Sequence, residues 1–212
     1  MIDRADADRR AAAYFSELWR GADPWDLETS PFEQAKYDAQ LALIDAGARR
    51  YGRALEIGCA AGAFTRRLAE RCDSVVALDI AEPAIALARA RTRTTNIDYR
   101  VGNIMQWDAE LDGRWDLVVL AETVCYLGWL YPFFDVAWLA HRLHEGTRPG
   151  GRLLLANTCG GVDDYLLRPW IIRTYHDLFR NAGFAVQHDT VFRGVKNGAD
   201  IEALITLAER PG

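Results

Sequence analysis

Two hydrophobic patterns alternate along the chain after Arg53, one of short apolar runs and one of longer amphipathic spans. The apolar runs predict strands over residues 53–57, 75–79, 97–101, 115–121 and 151–157. The amphipathic spans predict helices over residues 63–72, 83–92 and 132–147. Strands that are apolar along their whole length are typical of a parallel sheet covered by helices on both faces. The pattern therefore predicts an α/β fold.

The two ends of the chain depart from this alternation. Ser30, Pro31 and Glu33 form a helix-start signal, with a serine cap, a proline in the first turn and the glutamate of a capping box. Near the other end, Gly183 follows a helical span as a helix C-cap. Beyond it, the turn residues "KNGAD" separate two strand-like segments, and so short a connection joins only antiparallel strands.

The length of the chain fits one domain. It has 212 residues, 50% of them hydrophobic, which is enough to bury one substantial core. We predict a Rossmann-like, doubly wound, mostly parallel seven-stranded sheet with a C-terminal antiparallel hairpin and an N-terminal helical lid. The domain is expected to cover residues 1–212, with 1–50 as a helical cap and 51–212 as the core.

A glycine-containing stretch, "EIGCAAGAF", joins the first predicted strand to the next helix. Gly58 and Gly62 allow a sharp turn there and bring backbone close to a ligand. Asp79 ends the next strand, where an acidic residue accepts hydrogen bonds from ribose hydroxyls. A dinucleotide motif requires a second glycine where Ala60 stands, and its methyl group crowds a pyrophosphate. A nucleoside is therefore predicted, and an NAD-dependent oxidoreductase remains a less favoured alternative.

Glu56 narrows the choice of nucleoside. A carboxylate at the end of a buried strand is unfavourable unless it caps loop amides or faces a cation. S-adenosylmethionine carries an α-ammonium group and a sulfonium, and it has no phosphate. Glu56 therefore favours S-adenosylmethionine as the cofactor.

The segments "LEIGCAAGAFT" and "WDLVVLAETVCYL", together with Asp79, resemble the class I S-adenosylmethionine-dependent methyltransferases. More narrowly, "DPWDLETSPFEQAKYD" and Ala60 resemble the NodS-type nodulation N-methyltransferases, which act on amino sugars of chitooligosaccharides. The resemblance extends from about Tyr14 to Gly151. It implies a cofactor site made of Glu56, Gly58, Cys59, Gly62, Asp79, Ile80, Asn103, Ile104 and Ala121.

By this resemblance Glu56, Gly58 and Gly62 line the methionine end, Asp79 and Ile80 the ribose, and Asn103 and Ile104 the adenine. Many members of the family carry an aspartate at the position of Asn103. The carbonyl of an asparagine still accepts a hydrogen bond from the adenine amino group.

The acceptor is expected near "AETVCYLGWLYPFF", which follows the fourth strand at the same edge of the sheet. Glu122 is a candidate to attract an ammonium acceptor or take its proton, or else to bind the ammonium of the cofactor or cap the turn. Tyr126, Trp129 and Tyr131 offer aromatic faces to a sugar ring. Trp129, Phe133 and Phe134 are equally compatible with the core. The catalytic candidates are Glu122, Tyr126 and His176, and His176 is alternatively a surface helix residue.

Aromatic residues outside that segment complete the predicted acceptor site. Tyr14, Trp25 and Tyr37 are expected on a lid over the cofactor, although the same residues suit a helix pair that packs on the sheet only for stability. Trp170 lies in the connection 157–170, which also contains Asp163 and Asp164 as candidate acceptor contacts. The predicted substrate-binding residues are Tyr14, Trp25, Tyr37, Trp129 and Trp170.

Charge and composition exclude several other classes. The net charge is −5, and lysines and arginines are scattered rather than clustered, so we expect no nucleic-acid partner. The charged first twenty residues and the lack of an apolar run of membrane-spanning length predict a cytoplasmic protein without a membrane partner. The four cysteines are far apart and the histidines lack acidic partners at helical spacing, so no metal site is expected.

Taken together, the sequence predicts an S-adenosylmethionine-dependent methyltransferase that acts on an amine or a hydroxyl of a small molecule. A sugar or a glycosylated natural product is the favoured acceptor, and nitrogen and oxygen acceptors both remain open. The alternatives are a methyltransferase of a non-sugar natural product, a non-catalytic S-adenosylmethionine-binding protein and the oxidoreductase named above. A monomer or a weak homodimer is expected.

Overall fold

The computed structural model describes residues 4–21, 23–47, 50–106 and 115–212. Its strands are β1 (Tyr51–Ile57), β2 (Cys72–Asp79), β3 (Ile97–Val101), β4 (Trp115–Ala121), β5 (Thr147–Gly160), β6 (Ala185–Lys196) and β7 (Ala199–Glu209). They form one seven-stranded sheet in the order β3-β2-β1-β4-β5-β7-β6. The pairs from β3 to β5 are parallel, and β7 is antiparallel to both β5 and β6. The predicted mostly parallel sheet with a C-terminal hairpin is confirmed.

The helices are α1 (Arg4–Leu18), α2 (Pro31–Asp45), α3 (Ala63–Ala69), α4 (Glu82–Arg91), α5 (Val124–Leu130), α6 (Phe133–Gly146) and α7 (Pro169–Asn181). A single 3-10 turn covers Tyr165–Leu167. Two apolar clusters cover opposite faces of the sheet. α2, α3 and α4 contribute to one cluster, and α5, α6 and α7 contribute to the other. The sheet is therefore doubly wound, with its strand ends open between the helix layers.

Helix α2 begins where the sequence predicts, but its capping box is only half formed. The Oγ of Ser30 accepts a hydrogen bond from the Glu33 amide at 3.5 Å, and Pro31 occupies the first turn. The Glu33 carboxylate makes ion pairs with Lys36 and Lys196. These ion pairs divert the glutamate from the helix end and place it in the interior.

Several element bounds differ from the prediction, among them the following three. Helix α3 ends at Ala69 rather than at residue 72, because β2 begins at Cys72 to pair with β1. The segment after β4 forms helix α5 instead of a loop. Strand β5 continues to Gly160, because β7 pairs with it as far as Glu202. The predicted long connection 157–170 is therefore shorter than expected.

No helix among the described residues combines the length and the apolar character needed to cross a bilayer.

Candidate active site

A cavity of about 390 Å³ opens at the carboxyl ends of β1, β2 and β4. This volume lies within the range of about 300–1,000 Å³ that is usual for small-molecule sites. Helix α1 and the segment before α2 form the wall opposite the sheet, with Ala11, Phe15, Trp19 and Trp25. Eight of the predicted cofactor-site residues line it: Glu56, Gly58, Cys59, Asp79, Ile80, Asn103, Ile104 and Ala121.

Gly58 turns the chain out of β1 with φ of +79°. A Cβ at this position would lie 2.3 Å from Oγ1 of Thr123, whose hydroxyl donates to the carbonyl of Ile57 at 2.8 Å. Glycine is therefore required both by the backbone conformation and by the close approach of the segment after β4. The neighbouring Ala60 also has positive φ, at +51°, and its amide donates to Oδ2 of Asp79 at 2.8 Å. This hydrogen bond holds a non-glycine residue in the left-handed conformation.

The ninth predicted cofactor-site residue, Gly62, lies behind the loop and off the cavity wall. A Cβ there would lie 2.4 Å from the hydroxyl of Tyr99 and 3.2 Å from Cβ of Ala88. Gly62 lets the start of α3 approach β3 and α4. Its place at the methionine end stays a prediction.

Glu56 lies on the cavity wall and is 3% exposed. Its Oε2 has no hydrogen-bond partner among the described residues. Burial raises the pKa of this carboxyl to about 8; the nearby Asp79 adds to the shift, and Thr65 and Arg66 oppose it. An ionised carboxylate with a buried oxygen that lacks a hydrogen-bond partner is unfavourable, so Glu56 suits a ligand that brings a cation.

Asp79 is held by the two turns that meet at the end of β2. Its Oδ1 accepts from the amide of Ala81 at 2.9 Å, and its Oδ2 accepts from the amide of Ala60 at 2.8 Å. Burial raises the pKa of the Asp79 carboxyl, and the backbone hydrogen bonds oppose this shift. Each carboxylate oxygen can accept more than one hydrogen bond, so both retain capacity for a pair of hydroxyls.

Asn103 and Ile104 line the cavity beyond β3, next to Gly102. The amide nitrogen of Asn103 donates to Asp8 and to the hydroxyl of Tyr131, each at 2.7 Å. Its Oδ1 accepts from the amide of Met105 at 3.0 Å. The side chain of Asn103 is therefore fixed from two sides. The predicted acceptor residue Tyr131 serves this network and also lines the cavity.

Glu122 stands at the end of β4 with φ of +54°, an uncommon conformation for a residue with a side chain. Its Oε1 accepts from Nζ of Lys36 at 2.6 Å and from Oγ1 of Thr158 at 3.0 Å. Its Oε2 accepts from the amide of Thr158 at 2.8 Å. The carboxylate lines the cavity and keeps 29% of its side chain exposed. Glu122 is thus held rigidly while one edge of the carboxylate stays accessible.

Behind Glu122 runs an ionic chain of four residues: Lys196, Glu33, Lys36 and Glu122. Lys36 lies 2.6 Å from Glu122 and 2.8 Å from Glu33, and Lys196 lies 2.6 Å from Glu33. Burial disfavours the charged forms of both Glu33 and Lys36. Nevertheless, the neighbouring lysines hold the pKa of Glu33 below its usual value. Glu122 and Glu33 hold the pKa of Lys36 above its usual value despite the same burial. The opposite charges therefore stabilise one another in the interior.

Sequence reasoning missed Lys36 and Glu33 as site residues, although both line the cavity. Their spacing of three residues on α2 is a signal for a side-chain pair on one helix face. The capping box already explained Glu33 as a helix-start residue. Lys36 and Glu122 are 86 positions apart in the sequence, and no local pattern indicates that they are in contact.

The aromatic residues predicted to contact the acceptor fall into two groups. Trp25, Tyr37 and Tyr126 line the cavity, and the rings of Trp25 and Tyr126 lie 6.3 Å apart. Burial raises the pKa of Tyr126, so its phenol keeps its proton at neutral pH and is available as a hydrogen-bond donor.

The other three lie off the cavity wall, and their role as acceptor contacts stays a prediction. Tyr14 and Trp129 pack edge to face at 5.3 Å on the outer faces of α1 and α5. Trp170 is 71% exposed in the first turn of α7. Phe133 and Phe134 are exposed as well, which contradicts their assignment to the core.

His176 is neither a base at the cavity nor a surface residue, so both predictions for it are wrong. Its ring is 3% exposed, with Nδ1 2.9 Å from Oγ1 of Thr206 and Nε2 3.1 Å from Oδ1 of Asn157. Burial, assisted by the charge of Arg173, lowers its pKa to about 3. Helix α7 presents this residue to β5 and β7, behind the cavity. The side chain is therefore a structural hydrogen-bonding group.

We expect His176→Ala to lower the free energy of unfolding by about 1–3 kcal/mol, because Asn157 and Thr206 lose a buried partner. The affinity of the folded protein for S-adenosylhomocysteine should change less than twofold. Urea denaturation and calorimetry measure the two quantities, and His188→Ala, at an exposed position of β6, serves as a control that changes neither. Lost turnover at unchanged stability would contradict this assignment.

Comparison with known proteins agrees with this geometry. Residues 16–130, more than half of the chain, match the family Nodulation protein S (NodS). Nodulation protein S of Rhizobium tropici is 34% identical over 136 residues, 64% of this chain and 55% of that protein. The protein of the same name from Sinorhizobium fredii is 32% identical over 152 residues, 70% of this chain and 64% of that protein. The chain thus spans between half and two thirds of the length of these relatives.

The fold is shared with a solved structure, the N-methyltransferase NodS from Bradyrhizobium japonicum WM9 in complex with S-adenosyl-L-homocysteine. That structure superposes with a TM-score of 0.80 at 25% identity and covers 95% of this chain and 99% of the other. The matched segment includes α2, the glycine loop, Asp79, Asn103 and Glu122. On these grounds the chain belongs to the NodS family.

Proposed function

We propose that the chain is an S-adenosylmethionine-dependent methyltransferase that methylates an amine of a small molecule. The observation that carries this proposal is the unpartnered Oε2 of Glu56, buried on the wall of a cavity beside the glycine loop and Asp79. The positive α-ammonium group of the cofactor complements the negative charge of this carboxylate. The bound S-adenosylhomocysteine in the NodS crystal structure from Bradyrhizobium japonicum WM9 supports the same cofactor.

Three groups of cavity residues are assigned to the three parts of the proposed cofactor. Glu56 and the backbone at Gly58 receive the methionine end, and Asp79 accepts the ribose hydroxyls. Ile80, Asn103 and Ile104 surround the adenine. Uncharged backbone and apolar side chains line most of the remaining surface, which suits a ligand without phosphates.

S-adenosylmethionine, when bound, supplies an electrophilic methyl group for an in-line displacement. The protein needs to hold the acceptor nitrogen in line with that methyl group, and such positioning alone can contribute about 7–11 kcal/mol to the acceleration. Glu122 is suited to this task, because Lys36 and Thr158 fix its carboxylate at the cavity. Its charge attracts an ammonium acceptor, and its accessible oxygen accepts an N–H once the amine has lost its proton.

A sugar amine is our proposal for the acceptor class. Trp25 and Tyr126 present rings on the same cavity wall as Glu122, an arrangement that suits the C–H face of a sugar beside a charged amine. The solved relative is an N-methyltransferase, which supports nitrogen rather than oxygen as the acceptor atom.

Transfer of label from isotopically labelled S-adenosylmethionine tests the proposed activity. The panel contains amino sugars, the same sugars with the amine acetylated, and the same sugars with a hydroxyl in place of the amine. We expect label on the free amines alone. Label on the hydroxyl series or on phenols would overturn the amine proposal, and label on none of these compounds would overturn the acceptor class.

We also propose that the N-terminal segment is a lid, because Phe15, Trp19 and Trp25 line the cavity opposite the sheet. Trp25→Ala should raise the KM for the acceptor about tenfold, which corresponds to about 1.4 kcal/mol of lost aromatic contact. The matched control is Trp170→Ala, which removes an exposed tryptophan off the cavity wall and should change the KM less than twofold. Steady-state kinetics measures both. Equal KM values for the two variants would contradict the lid.

A further inference from the structure

We propose that Asp8, on helix α1, determines the specificity for adenine by holding the amide of Asn103 in one orientation. This inference rests on the proposed function, because it concerns the adenine end of the same cofactor site. Asp8 is a positioning residue, since it acts on the cofactor through Asn103.

Helix α1 turns one face towards this end of the cavity. Ala7 and Ala11 are buried on that face, and Arg4 and Asp8 lie on it at helical spacing. The guanidinium of Arg4 donates to the carbonyl of Met105, and Oδ2 of Asp8 accepts from Nε2 of Gln106 at 2.8 Å. These hydrogen bonds dock helix α1 on the segment after β3, which contains Met105 and Gln106.

Asp8 also organises two residues of the cavity wall. Its Oδ1 accepts from the amide nitrogen of Asn103 and from the hydroxyl of Tyr131, both at 2.7 Å. Burial, together with the hydrogen bond to Asp8, raises the pKa of Tyr131, so this phenol keeps the proton that it donates. The hydroxyl of Tyr131 also accepts from the amide nitrogen of Asn103 at 2.7 Å, so the three groups form a closed network.

The chemistry of these groups leaves Asn103 a single orientation. An ionised carboxylate only accepts hydrogen bonds, so the group of Asn103 that faces Asp8 must be the NH₂. Oδ1 of Asn103 therefore points away and accepts from the amide of Met105, which uses one of its two lone pairs. The other lone pair remains for a donor in the cavity.

Adenine and hypoxanthine differ at the atom that this lone pair would meet. Adenine carries an amino group, which donates, whereas hypoxanthine carries a carbonyl, which accepts. With Oδ1 of Asn103 fixed by Asp8, adenine is favoured and hypoxanthine places two acceptors against each other. Without Asp8, only the amide of Met105 still selects Oδ1, because the hydroxyl of Tyr131 can either donate or accept. The flipped amide, with its NH₂ towards the carbonyl of hypoxanthine, then becomes more accessible.

The test compares the affinities for S-adenosylhomocysteine and S-inosylhomocysteine by calorimetry. The wild type should prefer the adenosyl compound by about 10- to 100-fold, as expected for a buried acceptor that loses its donor. Asp8→Ala should reduce this preference to less than about fivefold. Asp6→Ala removes an exposed carboxylate from the same helix and should leave the preference unchanged.

Exchanging the carboxylate and the amide between positions 8 and 103 separates two effects of Asp8, the orientation of residue 103 and the docking of helix α1. Asn103→Asp alone should weaken binding of both compounds, because it brings two carboxylates into contact. Combining it with Asp8→Asn should restore the affinity for the adenosyl compound, since the repulsion is removed, and should keep the preference, since a carboxylate at position 103 accepts in any orientation. If the wild type binds neither compound, the proposed function fails. If it binds S-adenosylhomocysteine and Asp8→Ala keeps the full preference, or the exchange does not restore the affinity, the role of Asp8 is wrong.

Discussion

Lys36→Met should lower the free energy of unfolding by about 3–5 kcal/mol, the usual effect of removing one partner from a buried ion pair. The Lys36 side chain is 2% exposed and contacts Glu33 at 2.8 Å and Glu122 at 2.6 Å. Methionine has a similar volume, so the loss is mainly electrostatic. Two carboxylates remain near each other without the cation between them. Urea denaturation at neutral pH measures the change.

Two comparisons isolate the charge effect of Lys36. Lys196→Met removes the other lysine of the ionic chain, whose side chain is 20% exposed, and should have a smaller effect because water screens this end. Adding Glu33→Gln and Glu122→Gln to Lys36→Met should recover much of the stability, since the unpaired charges are gone. If the triple variant is as unstable as Lys36→Met, packing rather than charge accounts for the loss.

Glu56→Gln should weaken binding of S-adenosylhomocysteine by about 10- to 100-fold, because a charged hydrogen bond of about 1.5–3 kcal/mol is lost. The same substitution should change how the unliganded protein responds to pH. Burial raises the pKa of Glu56 from 4.5 to about 8, so the folded state favours the protonated form. Protonated Glu56 makes its full contribution to the free energy of unfolding below pH 4.5, and this contribution is lost as the pH rises through 8.

The free energy of unfolding of the wild type should therefore fall relative to that of Glu56→Gln between about pH 5 and 8. The difference should have a slope of up to about 1.4 kcal/mol per pH unit, the value for one proton. Denaturation at several pH values measures it. Asp98→Asn, which removes a largely exposed carboxylate on β3, is the control for the loss of a surface charge. Parallel pH profiles of the wild type and Glu56→Gln would contradict a buried, unpaired Glu56.

The sequence predicts the parts of the site that follow from strand order. Glu56, Asp79 and Glu122 each stand at the carboxyl end of a strand, and parallel strands bring these ends to one edge. The apolar runs are long enough to identify those strands, so the cavity position follows from local patterns. Ala60 also keeps the left-handed turn that its place in the glycine loop requires.

Contacts between distant segments could not be predicted in the same way. Asp8 meets Asn103 across 95 positions, and Lys36 meets Glu122 across 86, and neither pair leaves a local pattern. Helical periodicity places His176 on a helix but does not say which face packs on the sheet. For the same reason, the sequence did not distinguish Trp25, on the cavity wall, from Trp170, on the surface.

The proposed pairing of Glu56 with the ammonium group of an S-adenosyl ligand is tested most directly by proton release. At pH 7 a carboxyl with a pKa of about 8 is mostly protonated, and pairing with an ammonium group ionises it. Titration of S-adenosylhomocysteine in two buffers of different ionisation enthalpy should show release of most of one proton per ligand bound. Glu56→Gln should show none. Binding of S-adenosylhomocysteine without proton release, or binding of NAD in its place, would contradict the account.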